Sequence, residues 1–124
     1  SHTSVDQRLH YLRMNGGEIF KLAVRRMADS AKTVIKRARV KTGDVACFIP
    51  HQANLRIIQA VAKWAELPME KVFVNADRYG NTSAASNLIA LYEAVQEGKV
   101  KRGDYVVLVA FGAGLTWGSV LLQW

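Results

Sequence analysis

The chain has 124 residues, half of them hydrophobic and 22% charged, with a formal charge of +7. That length and mixture suit one globular domain burying about two-thirds of its chain surface, and they exclude a disordered or collagen-like polypeptide. Cys47 is the only cysteine, which excludes an intramolecular disulfide and points to a cytoplasmic location.

Residues 1–15 read as an N-terminal segment outside the fold, with Ser1-His2-Thr3-Ser4 as an appended leader and no secretory pattern. His2 and His10 fall in that segment, so no metal site is expected. The folded domain is expected over 16–124. Ile19, Phe20, Ala23, Met27, Val34, Ile35 and Ala38 recur near the helical period and predict a helix over 16–39, ended by a turn at Thr42-Gly43-Asp44. The positive charge concentrates along this stretch and calls for an acidic partner or a solvated basic face. Nucleic acid is not expected, because interleaved aromatics and a recognisable module are missing.

Val45-Ala46-Cys47-Phe48-Ile49 is a continuous apolar run, as expected of a strand buried on both faces. Pro50 stops it, having no ladder donor. Leu55, Ile58, Val61, Ala62 and Ala65 mark a second amphipathic helix, closed near Pro68. Val72-Phe73-Val74 is the next expected strand, followed by a helix over 82–97 capped by Gly98. Val100-Lys101-Arg102-Gly103-Asp104 echoes Val40-Lys41-Thr42-Gly43-Asp44, too briefly for a repeat array. Tyr105 to Trp124 carries no charge, but its glycines and β-branched residues read as two strands joined through Phe111-Gly112-Ala113-Gly114 and not as a membrane span. The order α-β-α-β-α-β-β predicts a layered mixed α/β sheet. The small residues Ser83-Ala84-Ala85-Ser86 invite close packing by a neighbour that the chain is too short to provide.

Two polar motifs carry the chemistry: Pro50-His51-Gln52-Ala53-Asn54 and Gly80-Asn81-Thr82-Ser83-Ala84-Ala85-Ser86. Each follows a predicted strand and opens a predicted helix, so His51 and Asn81 sit at the carboxyl ends of strands, where open α/β sheets place ligands. They can supply two N–H donors to one oxygen. Taken singly, His51 reads equally as a structural histidine and Asn81 as a turn or capping residue. A Cys47–His51 nucleophile pair is rejected, since four strand residues span about 13 Å and a buried thiol without cationic neighbours is inert. Gly112-Ala113-Gly114 reads either as a tight connection or as backbone N–H groups facing an oxyanion.

In combination, Gly16 to Lys21, Pro50 to Ile58, Asp77 to Ser86 and Ala110 to Ser119 resemble the C-terminal half of β-ketoacyl-acyl-carrier-protein synthase III, a condensing enzyme of the thiolase fold. The resemblance implies a Cys–His–Asn triad in which His51 and Asn81 take the second and third roles and donate hydrogen bonds to a thioester oxygen. It implies that the Ala113 N–H helps hold a tetrahedral oxyanion, although glycine is usual there. Gly16, Phe20, Ala53, Asn54 and Ile57 match positions lining the CoA and pantetheine tunnel. Acyl carrier protein, which is acidic, would dock on Gln52, Ala53, Asn54, Leu55 and Arg56 together with Lys21. Acyl-CoA and phosphopantetheine thioesters enter as substrates, with no covalently bound cofactor, and the nucleophilic cysteine belongs to an N-terminal half that Cys47 cannot replace. The resemblance further implies a homodimer, no membrane partner, and no condensing activity for these residues alone. Two other readings are a non-catalytic module that binds acyl carrier protein and half of a polyketide-priming relative.

Overall fold

A computed structural model describes residues 2–9 and 16–124; the readings made at Ser1 and over 10–15, His10 among them, lie outside the described residues. α1 (His2–Asp6) buries nothing. α2 (Gly16–Arg37) turns Ala23, Val24, Met27, Ala28, Ala31 and Ile35 inward as one stripe. Glu18 in its first turn and Lys36 and Arg37 in its last complement the helix dipole. The helix ends before the expected glycine turn, because Arg39 adopts a left-handed conformation (φ 57°). The Val40 N–H then reaches back to the Ile35 carbonyl, a Schellman closure. Glu66 (φ 60°) closes α3 (Leu55–Trp64) in the same way, and Gly98 (φ 70°) closes α5 (Ser86–Gln96) as its sequence predicts.

β1 (Val45–Pro50), β2 (Tyr105–Gly112) and β3 (Thr116–Gln123) form a mixed sheet in the order β1-β2-β3. β1 runs parallel to β2, with Pro50 opposite Val109, and β2 pairs antiparallel with β3 through a turn at 113–115. One face of the sheet packs Phe48, Val107 and Val109 against α2 and α3. The other packs Cys47, Ile49 and Val106 against Ala90 and Ala94 of α5. A strand covered on both faces needs unbroken apolar sequence, which is why Val45 to Ile49 does not alternate.

The expected strand at Val72-Phe73-Val74 does not form. Val72 makes a single parallel bridge to Phe48, and the Phe73 N–H donates to the Phe48 carbonyl at 2.9 Å. A parallel ladder would next need an N–H at position 50 to donate to the Phe73 carbonyl. Proline has none. The Gln52 side chain supplies the missing donor instead, Nε2 reaching the Phe73 carbonyl at 3.2 Å. The chain then leaves the sheet and enters α4 (Ala76–Tyr79). The helix expected over 82–97 is divided, with a 3-10 turn at Ser83–Ala85 before α5. On the outward side of α5, Leu88 and Tyr92 are about two-thirds exposed, at 67% and 66%.

Candidate active site

His51 follows directly on β1, and its backbone N–H extends the ladder by donating to the Val109 carbonyl at 2.7 Å. β2 runs three residues beyond that point before turning, so the Ala113 turn projects on the side of the sheet where His51 sits. The imidazole is half-buried, and Nδ1 lies 2.6 Å from the Ser86 hydroxyl. The Gln52 N–H donates to the same hydroxyl oxygen at 3.4 Å. The hydroxyl has one proton to give and a second lone pair to receive with, so it either donates to Nδ1 or accepts from an Nδ1–H. Donation to Nδ1 puts the ring proton on Nε2, the nitrogen without a bond among the described residues. Burial lowers the His51 pKa from 6.5 by penalising the imidazolium. The neutral ring is thereby favoured.

Gln52 belongs to the core. It is 1% exposed, and its carboxamide serves four backbone groups: Nε2 donates to the carbonyls of Pro50 (2.7 Å) and Phe73, while Oε1 accepts from the N–H groups of Asn75 (2.9 Å) and Ala76 (3.2 Å). The expectation that Gln52 contacts a docking partner is therefore corrected: no face of it is available, and its amide is fully used.

The second motif enters through Gly80, whose φ of 66° and ψ of −155° lie in a region open essentially to glycine. Asn81 is exposed, and its Oδ1 accepts from the Ser83 N–H at 2.9 Å, which fixes the carboxamide and leaves Nδ2 as the group able to donate outward. Ser83 is itself left-handed (φ 53°), an unfavourable conformation of the kind that accumulates at functional sites. No hydrogen bond joins His51 to Asn81 among the described residues. The motifs meet instead through Ser86 and through Gln52.

The remaining expected residues fall at separate places around this centre. Asn54 caps α3, its Oδ1 accepting from the Ile57 N–H at 3.0 Å. Ala53 and Ile57 are half-buried, whereas Leu55 and Arg56 are exposed on the first turn of α3. Gly16 opens α2. Phe20 and Lys21 line a groove of about 520 Å³ between α2 and α3, with Arg25, Ala60 and Trp64. Ala113 is exposed, and its carbonyl accepts from the Thr116 hydroxyl at 3.3 Å. Glycine is needed at 114, where φ is 139° and a Cβ would stand 2.8 Å from the Thr116 methyl. Cys47 is buried, and desolvation pushes its thiol up to about 11, which removes it as a nucleophile.

Sequence reasoning passed over three side chains that organise this region. Ser86 stood inside the second motif and was read only as a small packing residue. Asn87 donates from Nδ2 to the Ile49 carbonyl (2.8 Å) and the Val109 carbonyl (3.2 Å), tying α5 across the ends of β1 and β2. Glu93 accepts from the Tyr79 hydroxyl, from Asn75 Nδ2 at 2.8 Å and from the Arg78 guanidinium at 2.6 Å. The Tyr79 hydroxyl first, then the Asn75 amide, hold its carboxyl below the ordinary range. The signal available beforehand was a polar residue recurring at seven-residue spacing, Ser86 and Glu93, on a helix whose other polar residues are Asn87 and Gln96.

Among the described residues no cluster of histidine, cysteine or carboxylate side chains is arranged to hold a metal ion, and no helix is long and apolar enough to cross a membrane.

Residues 35–124 match the family model described as 3-oxoacyl-[acyl-carrier-protein] synthase III C terminal. A β-ketoacyl-[acyl-carrier-protein] synthase III of Aquifex aeolicus is 54% identical over 126 residues, covering 98% of this chain and 41% of that protein. One from Clostridioides difficile is 52% identical over 124 residues, covering 100% and 38%. Among solved structures, the Aquifex aeolicus 3-oxoacyl-[acyl-carrier-protein] synthase III superposes with a TM-score of 0.89 at 57% identity, covering 92% of this chain and 37% of that one. The Pseudomonas aeruginosa enzyme gives 0.90 at 42% identity, covering 100% and 39%. The chain thus spans about two-fifths of the length of the curated relatives it matches.

Proposed function

This chain belongs to the family of 3-oxoacyl-[acyl-carrier-protein] synthase III C-terminal domains, and from that premise we propose that it is the C-terminal part of a condensing enzyme that joins acyl-CoA to malonyl-acyl-carrier protein. The observation that carries the proposal is the Ser86–His51 hydrogen bond, because with the serine as donor it places the ring proton on Nε2, the nitrogen left without a bond among the described residues. In this reading a cysteine outside these 124 residues first accepts the acyl group from CoA as a thioester. Malonyl-acyl-carrier protein then binds, and the bond between its α-carbon and carboxylate breaks. Carbon dioxide leaves, and the electron pair moves onto the thioester oxygen as an enolate. His51 Nε2–H and Asn81 Nδ2–H donate to that oxygen as its charge develops. Each such preorganised donor contributes roughly 3–4 kcal/mol to the transition state.

The enolate carbon attacks the acyl-cysteine carbonyl and forms the new carbon–carbon bond. The Ala113 N–H supports the resulting tetrahedral oxyanion, which collapses and expels the cysteine thiolate. A neutral histidine suits this chemistry: it stabilises an enolate by hydrogen bonding without delivering a full proton that would quench the carbanion. The pantetheine arm runs past Gly16, Phe20, Ala53, Asn54 and Ile57. Acyl carrier protein, being acidic, docks on Lys21 of α2 and on Leu55 and Arg56 of α3, all three of them exposed. The Cys47 thiol takes no part.

The test is to replace His51 by Ala in the full-length synthase and follow the half-reactions separately. Transfer of a radiolabelled acyl group to the enzyme should persist, while release of carbon dioxide from malonyl-acyl-carrier protein should fall by about 100- to 1,000-fold. Equal loss of both would sink the assignment of His51 to the enolate oxygen.

A further inference from the structure

α4 is four residues long and contributes no buried residue of its own. Neither helix propensity nor apolar packing holds so short a helix in water. Polar contacts do, at two points. At its N-terminal end the Asn75 and Ala76 N–H groups are taken by Gln52 Oε1. Along its side, Asn75, Arg78 and Tyr79 all donate to the one carboxylate of Glu93. Arg78 also stands 3.5 Å from Glu97, the residue that caps the C-terminal end of α5. Only Gly80 separates Tyr79 from Asn81, so the placement of α4 sets the placement of the Asn81 carboxamide.

Ser86 and Glu93 lie seven residues apart on α5 and therefore on one stripe of it, about 10.5 Å from each other along the axis. Ser86 orients His51; Glu93 anchors the helix that leads into Asn81. One rigid helix thus spaces both donors.

We propose that Glu93 is a positioning residue, fixing Asn81 relative to His51 through its grip on Asn75, Arg78 and Tyr79. The inference rests on the reading of Asn81 as a donor to the enolate oxygen, and it goes beyond it by naming what holds that donor in register. Losing the carboxylate frees Asn75 Nδ2 and the Tyr79 hydroxyl and leaves Arg78 only its approach to Glu97, while the Gln52 contacts keep the N-terminal end of α4 in place. The expected result is a misplaced Asn81 in a folded protein.

The experiment uses the full-length synthase with Glu93→Ala, Glu93→Gln and Tyr79→Phe. Acyl transfer to the cysteine and carbon dioxide release from malonyl-acyl-carrier protein are measured as separate half-reactions, together with KM for the malonyl substrate. Glu93→Ala should slow carbon dioxide release about ten- to a hundredfold, a range below complete loss of a preorganised donor, with acyl transfer and KM changed less than about twofold. Glu93→Gln keeps an acceptor for Tyr79 and should recover part of the rate. In an Asn81→Ala background, Glu93→Ala should cost nothing further, since its effect passes through Asn81. A purely structural role would instead lower the folded fraction, depress both half-reactions together, and persist without Asn81; that result would overturn the proposal. If Glu93→Ala does not fold, Glu93→Gln and Tyr79→Phe decide by the same ratio of half-reactions. Should Asn81→Ala itself leave carbon dioxide release intact, the donor reading fails and this inference with it. Should Asn81→Ala slow release while the Glu93 and Tyr79 variants do not, the inference alone fails.

Discussion

Removing the Ser86 hydroxyl tests the tautomer argument directly, because Ser86→Ala deletes one oxygen from a buried position and leaves the packing volume almost unchanged. The hydroxyl lies 2.6 Å from His51 Nδ1, to which it donates in the proposed tautomer, and accepts from the Gln52 N–H at 3.4 Å. A typical intramolecular hydrogen bond contributes about 0.5–1.5 kcal/mol net, and about 1–3 kcal/mol when its loss leaves a buried partner unsatisfied. His51 is half-buried, so water can replace part of what is lost, and about 1.5 kcal/mol is the working value. That corresponds to roughly a tenfold drop in carbon dioxide release from malonyl-acyl-carrier protein. The drop must be smaller than that of His51→Ala, since the imidazole remains and only its orientation and tautomer are freed. Two further signatures are expected. The Ser86 O–H bond favours the neutral ring, so its loss should move the acid limb of the pH–rate profile upward, towards the ordinary histidine value. Nitrogen-15 NMR of His51 should show a ring with Nε2 protonated in the parent and a mixture of tautomers in the variant. An unchanged rate with an unmoved acid limb would refute the reasoning, and so would a parent spectrum with the proton on Nδ1.

Arg56→Glu reverses an exposed charge at the start of α3 and should slow the use of malonyl-acyl-carrier protein far more than that of acyl-CoA, with the difference shrinking as salt is added; initial rates with each substrate at low and high ionic strength decide. Cys47 should resist alkylation in the folded chain at neutral pH, because its thiol is buried and pushed up to about 11, and should react at once in denaturant; mass spectrometry of the modified chain reads this out. Since burial lowers the His51 pKa below 6.5, the fold favours the neutral ring. Its contribution to stability is complete above pH 6.5 and is lost as pH falls through the lowered value, so the urea midpoint should decline on acidification, and less steeply in His51→Ala. Gly80→Ala should destabilise by about 1–3 kcal/mol, the cost of forcing a side chain into a conformation reserved for glycine, measured by chemical denaturation.

The elements that were legible in the sequence were those whose periodicity reports tertiary burial. The apolar run at Val45 to Ile49 announced a strand because a sheet covered on both faces demands one, and the uncharged run from Tyr105 announced β2 and β3 through its glycines and β-branched residues, although β3 is largely exposed. Gly98 announced a helix end because a left-handed residue is cheapest as glycine. Arg39 and Glu66 do the same work without glycine, so the end of α2 was read too late. The segment at Val72 to Val74 was misread for a different reason. Its composition suits a strand, but strand formation needs a partner with free donors, and Pro50 withholds one.

That withheld donor explains the first motif as a unit. Pro50 ends the ladder on the side facing Phe73, leaving a carbonyl without its N–H. Gln52, two residues on, points back with its amide to fill the gap, and its other end gathers Asn75 and Ala76 into α4. Asn54 then caps α3, so the chain passes from strand to helix within four residues and every intervening polar side chain but one is spent on the backbone. The exception is His51. Its backbone completes the pairing with Val109, its Nδ1 is taken by Ser86, and Nε2 has no bond among the described residues. The motif's other residues thus serve to stop the sheet abruptly and start a helix at once. A histidine at that break is held by its backbone on one side and by α5 on the other. A donor aimed at a developing charge needs this kind of fixity, because a ring that had to reorient during the reaction would forfeit part of the stabilisation it provides.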